Sequence, residues 1–311
     1  MKPRIAISIG DLNGIGAEIA LKSHTQISTL CHPFYCISDD MLQQSAGLLK
    51  MKIPASFETV DVDGHFSIEP GLVSKESGLY SYKSFMKAIS LAESNAVDAI
   101  TTMPIHKEAW ALAGLTYKGH TDLLRRHFNK DAIMMLGCES LYVALYTEHI
   151  PLKQVPDFIT ENKLSAFLLD LNRELGDYPV AVLGLNPHAG DNGVLGNEEL
   201  AISAAIEKAN KIIGEKIFTG PVVPDIAFTP DFRKKYTYMV AMYHDQGLGP
   251  LKALYFDESI NVSLNLPIIR TSVDHGTAFD IAYTGQAKTL SYINAIKAAL
   301  SLIENRAPLN Y

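Results

Sequence analysis

The chain is organised around residues 241–270, AMYHDQGLGPLKALYFDESINVSLNLPIIR. The apolar residues 238–242 predict a buried strand that runs into this segment. His244 and Asp245 follow directly, so an imidazole and a carboxylate stand side by side where the strand ends. These two groups can hold a metal ion or move a proton.

The rest of the segment predicts a turn and then supplies three polar donors. Gly247 and Gly249 indicate the turn. Lys252, Asn261 and Arg270 follow at wide spacing and offer donors that match phosphate or carboxylate oxygens. Together with the imidazole and carboxylate before them, they predict a site for a small anion.

Composition limits the class of protein. A chain of 311 residues that is 47% hydrophobic and 20% charged predicts a soluble globular protein of about two domains. The net charge of -7 and the pI near 5.8 argue against nucleic acid or an anionic membrane as the main partner, because both require a basic surface.

The N-terminal sequence and the cysteines predict a cytoplasmic location. The first apolar stretch is shorter than the roughly 7–15 residues of a secretory signal and the roughly 20 residues of a membrane span. Cys31, Cys36 and Cys138 are unevenly spaced and form no CxxC pair, so neither a disulfide framework nor a structural zinc site is expected. A reducing compartment is the simplest interpretation.

Short apolar strands alternate with amphipathic helices along the chain, which predicts an α/β fold. The predicted strands are residues 4–9, 34–38, 97–102, 132–136, 142–146, 180–185, 226–228 and 238–242. The predicted helices include residues 77–95, 122–128, 163–175, 197–210 and 290–305.

The first strand leads into residues 10–18, GDLNGIGAE, which predict a sharp turn into a helix. The glycines permit close backbone approach, so a phosphate or the edge of a cofactor could lie near Gly10, Asp11 and the helix N-terminus. The spacing is not GxGxxG, and a plain connection between strand and helix remains the alternative.

Two further strand ends carry candidate substrate residues. Lys107 opens a helix just after the strand at 97–102, at the edge where ligands of open α/β sheets bind; a solvated helix start is the alternative. Residues 114–121 read GxxxxGHT, one residue from a phosphate-binding loop, with His120 in place of the lysine. That substitution argues against a nucleoside triphosphatase, but His120 and Thr121 could still contact a phosphate.

Three histidines share one context, since His149, His188 and His244 each follow a predicted strand. A lone histidine is more often a structural residue, but three in equivalent positions favour a metal site with one position open for substrate. Asp245 and Asp191 could orient the rings.

Seven segments of the chain resemble the 4-hydroxythreonine-4-phosphate dehydrogenase family of vitamin B6 biosynthesis. They are spread over nearly the full length and are GDLNGIGAE, GHTD, TEHIPL, NPHAGD, YHDQGLGPLK, NVSL and IRTSVDHGTAFDIA. The resemblance implies two α/β domains with a cleft between them, in the isocitrate/isopropylmalate dehydrogenase-like fold and not a Rossmann GxGxxG fold. We expect residues 1–120 with 275–311 in one domain and 121–274 in the other.

The resemblance also implies the site residues. His149, His188 and His244 would bind one divalent ion of Zn, Mg or Co, with His188 supplied across a homodimer interface. The expected substrate-binding residues are His120, Thr121, Lys252, Asn261 and Arg270. NAD or NADP would be the cofactor. The residues alone allow two interpretations of His275: a fourth metal ligand, or part of a loop around an adenosine or phosphate. The expected cofactor-binding residues are Gly10, Asp11, His275, Gly276, Thr277 and Ala278.

The implied reaction is oxidation of 4-phosphohydroxy-L-threonine at C3, followed by decarboxylation to 3-amino-2-oxopropyl phosphate. Asp245, Lys107 and Lys252 are candidates for the group that takes the alcohol proton, and Asp245 is favoured because it adjoins an expected ligand. Relatives acting on phosphorylated threonate or erythronate would share the same histidines. A metal-dependent phosphoester hydrolase and a non-catalytic metabolite sensor are the other function classes.

Overall fold

The computed structural model of the chain describes residues 2–305. These residues divide into two compact units. Unit 1 comprises the chain up to Ala132 together with the part from Ile260 onward, and unit 2 comprises Ile133–Ser259. The chain therefore leaves unit 1 once and returns to it.

The two crossings follow Ala132 and Ser259, whereas the predicted crossings follow residues 120 and 274. The first lies later because the helix beginning at His120 buries Leu123 in the core of unit 1. The second lies earlier because two strands that follow Ser259 belong to the sheet of unit 1. The strand beginning at Arg270 pairs with residues 100–102 of unit 1, and the strand beginning at Ile260 pairs with the strand beginning at Arg270.

The first part of unit 1 alternates strands and helices. Its elements are β1 (Arg4–Ser8), α1 (Gly16–Leu30), β2 (His32–Cys36), α2 (Asp39–Leu49), β3 (Glu58–Val60), α3 (Lys75–Glu93), β4 (Ala99–Thr102), α4 (Lys107–Leu112) and α5 (His120–Phe128). Helix α3 begins where the side chain of Ser74 accepts the backbone N–H of Ser77, which satisfies one free donor of the first turn.

Unit 2 follows, and the chain then completes unit 1. The elements of unit 2 are β5 (Ile133–Cys138), β6 (Leu141–Leu145), α6 (Val155–Phe158), α7 (Glu161–Leu175), β7 (Val180–Leu183), α8 (Glu198–Ile213), β8 (Phe218–Val222), α9 (Pro224–Ala227), α10 (Pro230–Arg233), β9 (Tyr238–Ala241) and α11 (His244–Tyr255). The returning elements of unit 1 are β10 (Ile260–Leu264), β11 (Arg270–Val273) and α12 (Leu290–Asn305).

Each unit has a mostly parallel sheet. In unit 1 the strand order is β3-β2-β1-β4-β11-β10, and only the pair β10–β11 is antiparallel. In unit 2 the order is β5-β6-β9-β7-β8, and only β5–β6 is antiparallel. Strands such as VAVL in β7 are buried along their whole length, as parallel strands covered on both faces require. The loops at the carboxyl ends of neighbouring parallel strands therefore lie side by side.

Two local predictions are wrong. Residues 226–228 do not form a strand, because Pro224 starts a helical turn that includes Ile226. Gly247 and Gly249 do not form a turn but lie inside α11. A Cβ on Gly247 would come within 2.6 Å of Val143 Cγ1, so glycine allows this helix to pack closely on the sheet.

The helices within residues 2–305 include none that is both long and apolar enough to cross a membrane.

Candidate active site

Five polar side chains share one face of the sheet in unit 1. The antiparallel register pairs Ser263 with Arg270 and Asn261 with Ser272, and the parallel register pairs Ser272 with Thr102. Side chains alternate between the faces of a sheet with a period of two. These five residues therefore point to the same side, although they lie far apart in the sequence.

Arg270 is the charged member of this group, and it is only 2% exposed. Its Nη2 donates to Thr102 Oγ1 at 2.7 Å and its Nη1 donates to Ser263 Oγ at 3.1 Å. Nε has no hydrogen-bond partner, and among residues 2–305 no carboxylate pairs with the guanidinium. Burial lowers the pKa of Arg270 to about 9. A buried cation held only by hydroxyls is well suited to bind an anion.

His120 begins α5 and lies close enough to Arg270 to be affected by its charge. The ring packs edge-on against Phe85 and Trp110, with centroids 4.6 and 5.8 Å away. Its Nε2 is buried without a hydrogen-bond partner in the described chain. Burial, and then the charge of Arg270, lower the pKa of His120 well below its ordinary value. Nε2 of the neutral ring therefore offers one hydrogen bond, as donor or acceptor according to the tautomer, and no charge.

Lys107 lies beside the start of α5. It is the exposed first residue of α4, and a Cβ placed on Gly119 would be 3.7 Å from Lys107 Cε. Gly119 precedes His120 and has a φ of +147°, while Thr121 is buried in the first turn of the helix. Unit 1 thus brings a lysine, a histidine and a threonine to one helix N-terminus, whose free N–H groups favour anions.

The remaining two predicted substrate residues fall in different units. Asn261 lies in unit 1 on the same sheet face as Arg270, and its Oδ1 is buried without a hydrogen-bond partner in the described part of the chain. Lys252 belongs to unit 2, where its Nζ lies 5.6 Å from the ring centroid of Phe256, the residue that follows α11.

The two predicted cofactor loops of unit 1 contact each other. The N–H of Ile15 donates to the carbonyl of Thr277 at 3.1 Å, and a Cβ on Gly14 would lie 2.8 Å from the same carbonyl oxygen. The ring of His106 stacks on Phe279 with centroids 4.8 Å apart. Nδ1 of His106 and Nε2 of His275 are buried and have no hydrogen-bond partner within residues 2–305.

Asp11 fixes the first loop from inside the core. Its carboxylate accepts the N–H of Asn13 at 2.9 Å and the hydroxyl of Ser77 at 3.2 Å. Burial raises the pKa of Asp11 to about 6 despite these hydrogen bonds and the nearby His106. Residues 10–20 are buried, and the N–H of Ile15 already has a partner within the chain. These contacts favour the plain strand-to-helix connection for the start of α1, and a cofactor contact of Gly10 and Asp11 stays a prediction.

In unit 2, the parallel register brings two of the predicted metal ligands together. Strand β6 pairs with β9 so that Leu145 lies opposite Ala241, and both strands end there. His149 and His244 follow these ends, and their ring centroids are 5.6 Å apart. Nδ1 of His244 lies 2.7 Å from Asp245 Oδ1, which leaves Nε2 of that ring for another partner.

His188 follows the next parallel strand, β7, in a loop with an unusual backbone. Residues 188–192 all have positive φ, from 43° to 78°. Glu199, at the start of α8, accepts the N–H groups of Leu185 and Asn186 at 2.9 and 2.7 Å and so anchors the entry to the loop. His188 is exposed. Backbone strain of this kind is typical of functional loops.

Within the described residues of one chain, no three His, Cys, Asp or Glu side chains converge on a metal position. The expected ligand set takes only His149 and His244 from one subunit, and an adjacent imidazole pair fits Zn or Co. The assignment of His188 as the third ligand is untested and stays a prediction.

The two residues that hold Arg270 were not among the predicted site residues. Ser263 is two residues from Asn261 and so shares its face of β10, and Thr102 is the last residue of the buried strand AITT. The period of two within a strand was a usable signal for Ser263. No local signal pointed to Thr102, because it meets Arg270 only through the pairing of β4 with β11.

Comparison with known proteins shows the family of the chain. A family model described as pyridoxal phosphate biosynthetic protein PdxA matches residues 29–299. The chain belongs to the PdxA family. A 4-hydroxythreonine-4-phosphate dehydrogenase of Sulfurimonas denitrificans is 66% identical over 303 residues, which cover 97% of this chain and 99% of that protein. The family and the oxidoreductase class predicted from the sequence are therefore confirmed.

Solved structures confirm the fold class. A 4-hydroxythreonine-4-phosphate dehydrogenase of Klebsiella pneumoniae has a TM-score of 0.82 and 36% identity, with 98% of this chain and 99% of that chain covered. A β-decarboxylating dehydrogenase of Thermococcus kodakarensis has a TM-score of 0.53 at 12% identity and covers 97% of this chain and 84% of that one. The second match concerns the fold alone, and it agrees with the dehydrogenase-like α/β fold class predicted for this PdxA-family chain.

Proposed function

We propose that this PdxA-family chain oxidises 4-phosphohydroxy-L-threonine at C3 with NAD or NADP and releases CO₂ to form 3-amino-2-oxopropyl phosphate. The relatives carry the name of this dehydrogenase. The single observation that carries the proposal is Arg270, a buried cation without a carboxylate partner in residues 2–305. A substrate phosphate supplies the missing negative charge.

The phosphate is bound by residues of unit 1. Arg270 donates from Nε, and the first turn of α5 presents Thr121 and free backbone N–H groups. His120 contributes a neutral hydrogen bond, since the pKa of its ring lies well below the ordinary value. Asn261 lies on the same sheet face, and Lys252 of unit 2 is assigned to the substrate on its sequence match alone.

A divalent ion is proposed for the histidines of unit 2. His149 and His244 of one subunit would hold it with His188 of the partner subunit, and three imidazoles suit Zn or Co, with Mg as a third candidate. When bound, such an ion supplies Lewis acidity for alcohol oxidation and for loss of CO₂. Asp245 holds His244 through Nδ1, which fixes the ring orientation.

NAD or NADP is proposed as the hydride acceptor, because the relatives are named dehydrogenases. Residues 275–278 and the loop that begins at Gly10 would hold it, and the unpaired buried nitrogens of His106 and His275 are available for hydrogen bonds there. One proton leaves the C3 hydroxyl as hydride is transferred, and one proton replaces CO₂ on the neighbouring carbon. Lys107, beside His120, and Asp245 are the candidates for moving these protons.

A homodimer with shared active sites is proposed as the working form. His188 is exposed, and the apolar side chains that follow it in sequence are exposed as well: Val194 at 77% and Leu200 at 72%. Contiguous exposed apolar surface marks protein interfaces, and we propose that Val194 and Leu200 belong to such a surface beside the His188 loop. A second subunit covering this surface would bring His188 to another chain.

A spectrophotometric assay of cofactor reduction tests the proposal. NADH or NADPH formation from 4-phosphohydroxy-L-threonine is compared with that from 4-phospho-D-erythronate and from phosphothreonate, with and without a chelator, and inorganic phosphate is measured in parallel. We expect reduced cofactor from the first substrate, loss of rate with the chelator, and no phosphate release. Turnover of only the other two acids would assign the related dehydrogenase activity, and phosphate release without cofactor reduction would assign a hydrolase.

A further inference from the structure

A small hydrogen-bonded cluster in unit 2 links the three loops that carry His149, His188 and His244. The cluster consists of Thr147, Gly184, Met242 and Gln246. Each loop leaves the end of a parallel strand, and β9 lies between β6 and β7. The pairing of β9 with its two neighbours fixes the strands themselves, but it ends at Leu145 on β6, at Val182 on β7 and at Ala241 on β9.

Gln246 makes the connection between two of these loops. It lies in the first turn of α11 and is 8% exposed. Its Oε1 accepts the N–H of Met242 at 2.7 Å, and its Nε2 donates to the carbonyl of Gly184 at 2.6 Å. Met242 is two residues before His244, and Gly184 is four residues before His188. One side-chain amide therefore ties both histidine loops together.

Thr147 adds the third loop through the other backbone group of Met242. Its hydroxyl donates to the carbonyl of Met242 at 2.6 Å, and its N–H donates to that carbonyl at 3.2 Å. Thr147 is 5% exposed and lies two residues before His149. Met242 is thus held through its N–H by Gln246 and through its carbonyl by Thr147.

The chemistry of the amide makes this link specific. Gln246 must accept a hydrogen bond with one atom and donate one with the other, and no other uncharged side chain of its length does both. Both partners are backbone atoms in a buried environment, where an unmet hydrogen bond is costly. A change at this position therefore alters how the loops are held without removing an imidazole.

We infer that Gln246 is a positioning residue that fixes the segments leading to His244 and to His188, so that His244 can bind a divalent cation in the site of its own chain and His188 can bind one in the partner's site. The inference rests on the proposed metal site. Gln246 does not contact the cation and acts only through the loops. Removal of its amide should lower cation affinity about 10- to 100-fold, the range seen when groups that orient metal ligands are lost.

The matched control is Asn210, another amide of unit 2 that bridges backbone groups. Its Oδ1 accepts the N–H of Phe218 at 2.9 Å and its Nδ2 donates to the carbonyl of the same residue at 2.8 Å. Gln246→Met and Asn210→Leu each remove one such bridge and keep a side chain of similar size. Gln246→Glu keeps the acceptor for Met242 but places a second oxygen against the carbonyl of Gly184.

The experiment measures Co²⁺ and Zn²⁺ dissociation constants of the full-length protein by chelator competition, the Co²⁺ absorption spectrum, and the urea midpoint of unfolding. We expect both Gln246 variants to lose affinity and to change the Co²⁺ spectrum, while Asn210→Leu lowers the urea midpoint but retains affinity and spectrum. Wild-type affinity and spectrum in Gln246→Met would overturn the inference, as would equal losses of affinity in Gln246→Met and Asn210→Leu. If the wild-type protein binds neither ion, the proposed metal site fails first, and the inference falls with it.

Discussion

Arg270 lowers the stability of the folded protein and provides the proposed binding group for an anion. A buried guanidinium without a counter-ion among the described residues costs free energy of folding, and two hydroxyls offset only part of that cost. The residue lies in a buried strand, where a leucine or methionine would pack without this cost. The uncompensated charge is explained by a ligand that brings the opposite charge.

We predict that Arg270→Met separates stability from ligand binding. In phosphate-free buffer the variant should unfold at an equal or higher urea concentration, because the change removes a buried charge and keeps most of the volume. Inorganic phosphate at 100 times its dissociation constant should stabilise the wild-type protein by about 2.7 kcal/mol and leave the variant unchanged. Arg126→Met, at an exposed site, is the control and should respond to phosphate like the wild type. A variant still stabilised by phosphate would show that the anion binds elsewhere.

Asp11 predicts a pH dependence of stability. Its pKa is about 6 in the folded protein and about 3.8 in the unfolded chain, so the folded state binds more protons between these values. Its contribution is therefore full below about pH 4 and is lost as pH rises through about 6, a change of about 3 kcal/mol at 1.36 kcal/mol per pKa difference of one. Asp11→Asn, which keeps an acceptor for Asn13, should abolish this part of the dependence.

Urea unfolding of both proteins between pH 4 and pH 7 measures the effect. The informative quantity is the difference in free energy of unfolding between variant and wild type, because other titrating groups cancel in it. A difference that is constant over this pH range would contradict the assigned burial effect on Asp11.

At the scale of elements, the close packing of α11 on the sheet of unit 2 places His244. Gly247 lies one turn into the helix, and a Cβ there would come within 2.9 Å of Ala241 Cβ as well as meeting Val143. Gly249 lies in the same helix, and a Cβ there would meet nothing within 4 Å. The two glycines of one motif therefore have different roles.

We predict opposite effects for the two alanine substitutions. Gly247→Ala should lower the free energy of unfolding by about 1–3 kcal/mol, because the helix must move away from the sheet, and it should weaken divalent cation binding through His244. Gly249→Ala should raise the free energy of unfolding by up to about 1 kcal/mol, because alanine favours the helix. Urea unfolding and Co²⁺ titration of both variants test this pair. Equal stability changes would contradict the packing role of Gly247.

At the scale of the whole molecule, the proposed sharing of active sites predicts that two inactive variants regain activity when they form a mixed dimer. His188→Ala and His244→Ala should each give an inactive homodimer. When equal amounts are unfolded and refolded together, about half of the dimers are mixed, and each mixed dimer regains one of its two sites. Activity should therefore recover to about a quarter of the wild-type value.

Recovery in the mixture depends on His188 acting in the partner's site. If His188 served the site of its own chain, every site in the mixture would lack one ligand, and no activity would return. His188→Ala mixed with His149→Ala should behave like the first mixture. His149→Ala mixed with His244→Ala is the control and should stay inactive, because these two residues are proposed to serve the same site.

The sequence predicted much of the fold because its signals are local. The buried strands β1, β4, β7 and β9 and the helices α3, α7 and α12 follow from apolar runs and helical periodicity. The proximity of His149 and His244 also followed from position, since both come after strands and the carboxyl ends of parallel neighbours meet at one edge.

Sequence alone determined the alternation of strands and helices, the family, and the residue types of the candidate site. Only the tertiary structure decided that Arg270 is buried without a carboxylate partner in the described chain and is held by Thr102, 168 residues away. The same holds for the loop of His188 and for the amide of Gln246, which spans 62 residues to Gly184. The reason is physical: periodicity and turn preferences act over a few residues, whereas strand register, burial and charge compensation depend on which distant segments meet.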